Sequence, residues 1–314
     1  MISEFINEWF NAHRAEVIAW RRHIHRYPET ANQEVETTNY IANILADYGL
    51  EPQRFPHTGL MVDIGPDTEL GRLAFRADID ALPVTEVTGL EYTSEVPGKM
   101  HACGHDGHTA TLLGTAKYLA ETRNFDGTVH FIFQPAEEGG GGAGVMVREG
   151  LFERFPCDEI YAIHNQPNGP HGKIKLRPGP AMAAADFFDI RITGRGAHAA
   201  QPDRGLEPVL VATALAQAMQ SIVSRNADPL KSAVLSVTQF HAGAAYNVIP
   251  EGAHITGTVR TFDADLRTLV TTRIRAIAAG LATAYGATID VDIRDVFSVL
   301  MNSPEHAAAA ADIA

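Results

Sequence analysis

The stretch from residue 72 to residue 134 decides the fold: an apolar run, RLAFRA at 72–77, then HDGHTATLLGTAKYLAET at 105–122, then a second run, TVHFIFQ at 128–134. The outer runs are short, continuously apolar and bounded by turn residues, as buried strands are. Between them Leu112, Ala116, Leu119 and Ala120 share one helical face. Strand, helix, strand at this spacing predicts a mostly parallel sheet in an α/β protein. Outward from this unit, LMVDIG at 60–65 and EIYAIH at 159–164 read as two more buried strands. Before them, residues 9–27 and 34–50 read as helices, the second with Ile41, Ile44, Leu45 and Tyr48 in register ahead of a stop at Gly49.

From about residue 183 the texture changes. DFFDIRITG (186–194) alternates like a half-buried strand, EPVLVATALAQAMQSIVSR (207–225) reads as a helix, SAVLSVTQFHAG (232–243) and AHITGTVRTF (253–262) as strands, DADLRTLVTTRIRAIAAGLATAYG (263–286) as a helix and ATIDVDI (287–293) as a last strand. That order, β-α-β-β-α-β, predicts a small ferredoxin-like sheet with both helices on one face. The expected organisation is a first domain over 1–183, an inserted domain over 184–293 and a return to the first domain over 294–314. The closing AAAAADIA at 307–314 is helix-forming without a C-cap glycine, so the sequence is expected to be truncated there and to expose apolar sheet surface.

Composition narrows the function classes. With 45% hydrophobic and 20% charged residues the 314-residue chain is globular, not disordered, collagen-like or coiled-coil. Its net charge of −13 would repel phosphate backbones and argues against broad nucleic-acid binding. No run of 18 apolar residues suggests a membrane span, and Glu4 and Glu8 occupy positions where a secretion signal needs a basic start, so a cytoplasmic location is expected. Cys103 and Cys157 are too few for a disulfide framework and leave a thiol available for metal or reaction.

The chemistry concentrates just after the predicted strands, where the ligand crevice of an open α/β sheet lies. Asp78 and Asp80 follow the first run, Glu137 and Glu138 the second, and His164 closes EIYAIH. HACGHDGH at 101–108 adds one thiol and three imidazoles within eight residues. Thiolate, imidazole and carboxylate form a donor set for Zn²⁺ or a related divalent ion. Exposed cap histidines and a buried small cysteine would be the structural explanation of any one of these clusters; their coincidence at three strand ends favours metal. Two adjacent carboxylates repel unless cations stand nearby, and one of the pair can then ligate while the other takes a proton from an attacking water.

RADIDALP, KMHACGHDGHTATLLGTAKYLA, FQPAEEGGGGAGVMVREGLFERFPCDEIYAIHNQP, GRGAHAAQP and NVIPEGAHITGTVRTF, taken together, resemble the hippurate hydrolase and N-acyl-amino-acid amidohydrolase family of metallopeptidases, which includes indole-acetyl-amino-acid hydrolases. The resemblance spans nearly the whole chain. It implies a parallel-sheet catalytic domain interrupted by a lid domain that also forms a homodimer. It further implies two divalent ions per subunit, Zn or Mn with Co or Ni as alternatives, and an N-acyl amino acid as substrate. By the family pattern Cys103 bridges the ions, His105 and His164 bind one, and Glu138 binds the other. Glu137 is then the general base, and Asp78 orients a ligating imidazole. His198 reaches toward the scissile carbonyl, often across the dimer, while Asn247 and Arg260 grip the substrate carboxylate.

Two departures from that pattern matter. After GAHAAQP stand Asp203, Gly205 and Glu207-Pro208 in place of the family's usual residues, which bears on specificity at the lid. The family's last metal ligand, a histidine from a later segment, has no counterpart here, and His254 and His306 lack its surrounding motif. The second ion is therefore expected to hold only Cys103 and Glu138, and the chain by itself to be poorly active. A catalytically silent metal-binding or interaction protein is the alternative. A cysteine hydrolase with Cys103 as nucleophile and His105 as base is a third possibility, but it leaves the Glu137-Glu138 pair without a role.

Overall fold

A computed structural model describes residues 2–66 and 71–314. The chain separates into two compact units, one ending at His171 and the other beginning at Gly172.

The first unit runs α1 (Ile2–Arg26), α2 (Val35–Asp47), β1 (Gln53–Arg54), β2 (Leu60–Ile64), β3 (Arg72–Asp78), α3 (His105–Thr122), β4 (Thr128–Gln134), α4 (Gly142–Arg148), α5 (Leu151–Arg154) and β5 (Glu159–Ala162). The five strands form one sheet in the order β1-β2-β4-β3-β5. The α/β class read from the sequence holds, but the sheet is mixed. β3, β4 and β5 run parallel, while β2 is antiparallel to both β4 and β1. Every residue of β4 is buried, because side chains on both its faces meet helices. Phe131 and Phe133 pack with Trp20, Ile41, Leu45 and Leu113 of α1, α2 and α3. Ile132 points the other way and packs with Met61, Met146 and Leu151 under α4 and α5. The alternation of side chains along a strand thus builds two apolar layers from one strand. β5 is an edge strand whose Ile160 is exposed.

The second unit contains β6 (Gly179–Met182), β7 (Ala184–Thr193), β8 (Ala197–His198), α6 (Pro208–Ser221), β9 (Ala233–Ala242), β10 (Val248–Ile249), β11 (Gly252–Thr261), α7 (Ala264–Tyr285), β12 (Thr288–Phe297), β13 (Leu300–Asn302) and α8 (Pro304–Ile313). Its main sheet has the order β12-β7-β11-β9, antiparallel throughout, the arrangement the β-α-β-β-α-β order dictates. Phe188, Ile190 and Ile192 of β7 and Ile255 and Val259 of β11 pack against Val211, Leu215 and Met219 of α6 and Val270 and Ile274 of α7. α7 starts at Asp263, whose side chain accepts the Leu266 N–H, and stops at Gly286. Among the described residues no helix is long and apolar enough to cross a membrane.

One polar pair is built into the centre of the first sheet. Asp63 on β2 lies opposite His130 on β4. Its carboxylate meets His130 Nδ1 at 2.5 Å, and Nε2 meets the Pro156 carbonyl at 3.0 Å. With an acceptor at each ring nitrogen, the imidazolium is the form that satisfies both. Burial pushes the ring's pKa down, but Asp63 and the Pro156 carbonyl outweigh it and the pKa is raised. A raised folded-state pKa means that the stabilisation is full at low pH and is lost as pH rises through the folded value. Asp63→Asn is therefore expected to cost about 1 kcal/mol near pH 5.5 and clearly less near pH 9, in urea titrations at the two pH values.

Candidate metal centre

The parallel run of β3, β4 and β5 places their carboxyl ends on one edge, and the residues that follow them meet the N-terminus of α3 there. Gly104, immediately before the helix, adopts φ +91°, and a Cβ on it would meet Asn165 Oδ1 at 2.5 Å, so the Cys103–His105 turn and the segment after β5 close on each other only around a glycine.

His105 is fully buried. Its Nδ1 lies 2.8 Å from the Asp80 carbonyl and 3.3 Å from Asp80 Oδ1, both acceptors, so the ring hydrogen sits there. Its Nε2 is buried with no hydrogen-bond partner. That lone pair faces Asp78 Oδ2 at 3.7 Å and Glu138 Oε1 at 3.9 Å. His164 repeats the pattern: Nδ1 lies 2.9 Å from the Asn165 carbonyl, and Nε2 lies 3.4 Å from Cys103 Sγ. Donor atoms of Cys103, His105 and His164 fall within 4.8 Å of one another, as do those of His105, Glu137 and Glu138. Two imidazoles with Nδ1 committed to backbone carbonyls and Nε2 turned to a thiol and a carboxylate are what a divalent metal site requires.

Electrostatics agree with the geometry. The adjacent His105 and His164 rings lower the Cys103 pKa toward thiolate. Burial pushes His105 down, but Asp80, Cys103 and Asp78 outweigh it and lift it to about 11. The bond to Cys103 lifts His164 to about 9. The cluster therefore attracts positive charge, and a divalent ion would take the place of protons. Glu137 is raised by burial, by Glu138 and by Asp78.

Of the other two histidines of HACGHDGH, only His108 is otherwise employed. His108 spends Nδ1 on Asp78 Oδ1 at 2.6 Å and receives the Asn165 N–H on Nε2 at 3.0 Å. His101 is buried with neither ring nitrogen hydrogen-bonded, and burial holds its pKa down to about 4. Asp80 is the carboxylate at His105 Nδ1, while Asp78, expected to orient a ligating imidazole, lies 3.7 Å from His105 Nε2. Asp78 grips His108 and accepts from Arg76 Nη1 at 2.8 Å. Asp80 also accepts the backbone N–H groups of Glu137 at 3.0 Å and Glu138 at 2.9 Å, so one carboxylate fixes both the imidazole and the two glutamates. Its position two residues beyond Asp78 in RADIDALP was the available signal; Asn165 gave none beyond adjacency to His164.

Comparison with known proteins decides the affiliation. The profile of Peptidase family M20/M25/M40 matches residues 74–314. The chain belongs to this family. It is 43% identical over 278 residues to an N-acetyl-L-cysteine deacetylase of Bacillus subtilis, covering 88% of this chain and 66% of that protein. It is 41% identical over 295 residues to the hippurate hydrolase of Campylobacter jejuni, covering 94% of this chain and 77% of that one. The crystal structure of a Bacillus subtilis protein described as a dinuclear metal-binding peptidase from the M20 family superposes with a TM-score of 0.80 at 37% identity, covering 96% of this chain and 79% of that chain.

The remaining candidates of this M20 chain lie in the second unit. β8 pairs with β10, His198 opposite Val248, and the Ala199 N–H donates to the Asn247 carbonyl at 3.0 Å, so His198 and Asn247 come together. His198 Nδ1 accepts the Ala200 N–H at 3.1 Å, which leaves the neutral ring's hydrogen on exposed Nε2. Arg260 does not join them. The β8–β10 ribbon continues β7 and β11 past their Thr193–Gly252 end, while Arg260 stands near the other end of β11, roughly 25 Å along the strand. There its guanidinium lies 5.9 Å from the Phe187 ring and donates to Thr258 Oγ1. Asn247 and Arg260 of one chain therefore cannot share one small carboxylate. His254 pairs with Asp189 at 3.0 Å across the same sheet, a structural role.

Asp80→Asn is expected to fold and to bind divalent metal 10- to 100-fold more weakly (order of magnitude), since it replaces an acceptor shared by three N–H groups. Metal titration of the variant against the unaltered chain reads this directly.

Proposed function

We propose that this chain hydrolyses the amide bond of N-acyl or N-aroyl amino acids, hippurate-like compounds included, to a carboxylic acid and a free amino acid. The observation that carries the reading is the convergence of Cys103, His164 Nε2, the orphaned His105 Nε2 and Glu138. The names of the M20 relatives point to the same substrate class. In this reading Cys103, His105, His164 and Glu138 would hold two divalent ions, Zn or Mn. When bound, such ions polarise the scissile carbonyl and ease ionisation of the attacking water.

The chain's own residues supply the rest. Glu137, whose pKa is raised by burial and by its acidic neighbours, takes the proton of the attacking water and returns it to the leaving amine. Asp80 keeps Glu137 and Glu138 in place through their backbone N–H groups. His198 offers its Nε2 hydrogen to the carbonyl oxygen as charge develops there. Asn247 of one copy and Arg260 of the other bind the substrate carboxylate.

We assign residues 1–183 and 294–314 to the catalytic domain and 184–293 to the lid, and read the protein as a cytoplasmic homodimer. The separation of Arg260 from His198 and Asn247 supports the dimer, because two copies can present opposite ends of their lid strands to one substrate.

Glu137→Gln is expected to lower kcat on N-acyl amino acids by about 10²- to 10⁴-fold while metal content by elemental analysis stays unchanged. Loss of metal from that variant would instead make Glu137 a ligand. Mixing Glu137→Gln and His198→Ala copies, each inactive alone, is expected to recover about one quarter of native activity if His198 serves the partner's site. No recovery would place His198 in its own chain's site.

A further inference from the structure

Glu34 is a carboxylate with no solvent exposure, set just before α2 and far in sequence from the residues assigned above. Burial raises its pKa, and hydrogen bonds to the carboxylate only partly offset this. A buried acid in such a place costs stability unless its oxygens have work to do. They have two partners. Oε2 accepts the Thr58 hydroxyl at 2.7 Å, and Oε1 accepts the backbone N–H of Ala136 at 2.7 Å, 102 residues away.

Ala136 is the first residue of the turn that carries Glu137 and Glu138. It sits at φ +51°, a left-handed conformation that costs a non-glycine residue about 1–2 kcal/mol. The turn persists because its three successive N–H groups are each taken by a buried carboxylate, Ala136 by Glu34 and the next two by Asp80. Its far side is closed by Gly142, whose missing Cβ would collide with the Pro135 carbonyl. The conformation at Ala136 sets the direction in which the two following side chains leave the backbone. Both carboxylates come within 4.8 Å of a His105 nitrogen, and Glu138 Oε1 lies 3.9 Å from Nε2.

We propose that Glu34 is a positioning residue for the Glu137-Glu138 pair: by holding the Ala136 N–H it locks the left-handed turn that turns Glu138 to the metal ligands and leaves Glu137 free as a base. The proposal rests on the amide-hydrolysis reading for its activity readout. It adds a residue whose hydrogen bond, not its charge, is needed, since an amide oxygen can accept the same N–H.

The test compares Glu34→Gln, Glu34→Ala and Thr58→Val in the full chain, reading hippurate kcat and KM, melting temperature, and the thiolate-to-metal and ligand-field absorption after loading with Co²⁺. Thr58→Val removes the other partner of the same carboxylate and serves as the control for lost stability. Glu34→Ala is expected to lower kcat about 100-fold with KM changed little, and to alter the Co²⁺ spectrum. Glu34→Gln is expected to restore both to near-native values, and Thr58→Val to lower the melting temperature while leaving kcat and spectrum in place. Equal losses of kcat in Glu34→Ala and Thr58→Val would reduce Glu34 to a packing role and overturn the proposal. So would a Glu34→Gln variant as impaired as Glu34→Ala. If the unaltered chain cleaves no N-acyl amino acid, the hydrolysis reading fails by itself, and the Co²⁺ spectra of the three variants still decide whether Glu34 places Glu138.

Discussion

The Asp80 carboxylate is the point from which the site is built. Taking an ionised carboxylate out of water costs several kcal/mol, and here the charge is repaid by two backbone N–H groups and the His105 ring. Each hydrogen bond to a charged acceptor returns about 1.5–3 kcal/mol, so the group stays ionised, with a pKa held below the usual carboxylate range although burial acts to raise it. The same three bonds connect the ends of β3 and β4 to the first residue of α3. A site whose parts come from three distant segments thereby acquires one rigid centre.

The parallel trio of strands makes that centre possible. β3 and β5 flank each other and β3 pairs with β4, all pointing the same way, so whatever follows each strand emerges on the same edge. The antiparallel partners β1 and β2 sit at the other side of the sheet and contribute apolar packing, with Leu60, Val62 and Ile64 in the core. The two roles explain the mixed sheet: parallel strands gather chemistry, and the antiparallel edge supplies hydrophobic layers.

The two histidines proposed as metal ligands share one device. In both His105 and His164 a backbone carbonyl takes the Nδ1 hydrogen and so selects which nitrogen is left for a ligand. His108, one helical turn beyond His105, has both nitrogens engaged and is removed from that role by Asp78 and Asn165. The difference between a ligand and a support thus lies in the partners of each ring and not in the residue type. In the second unit the same logic leaves Nε2 of His198 as a donor.

Much of this was legible in the sequence. Hydrophobic period gave the strand-helix-strand unit and the β-α-β-β-α-β order, because burial on one face leaves its mark in which residues are apolar. Local spacing likewise gathered the donors of HACGHDGH, Glu137, Glu138 and His164, since such groups are chemically conspicuous and cluster after strands, and the family resemblance singled out Cys103, His105, Glu138 and His164 among them. Strand direction at the β2 edge was not legible, because an apolar run reads the same in either orientation. Nor was the division of hydrogen-bond partners between Asp78 and Asp80, two like residues separated by one position, or the reach of Glu34 across 102 residues to Ala136. The length of β11, which separates Arg260 from Asn247, acts only once the strand is extended. Composition and period determine which residues are inside and which are reactive; pairing register and hydrogen-bond partners depend on three-dimensional proximity, and the tertiary structure alone decides them.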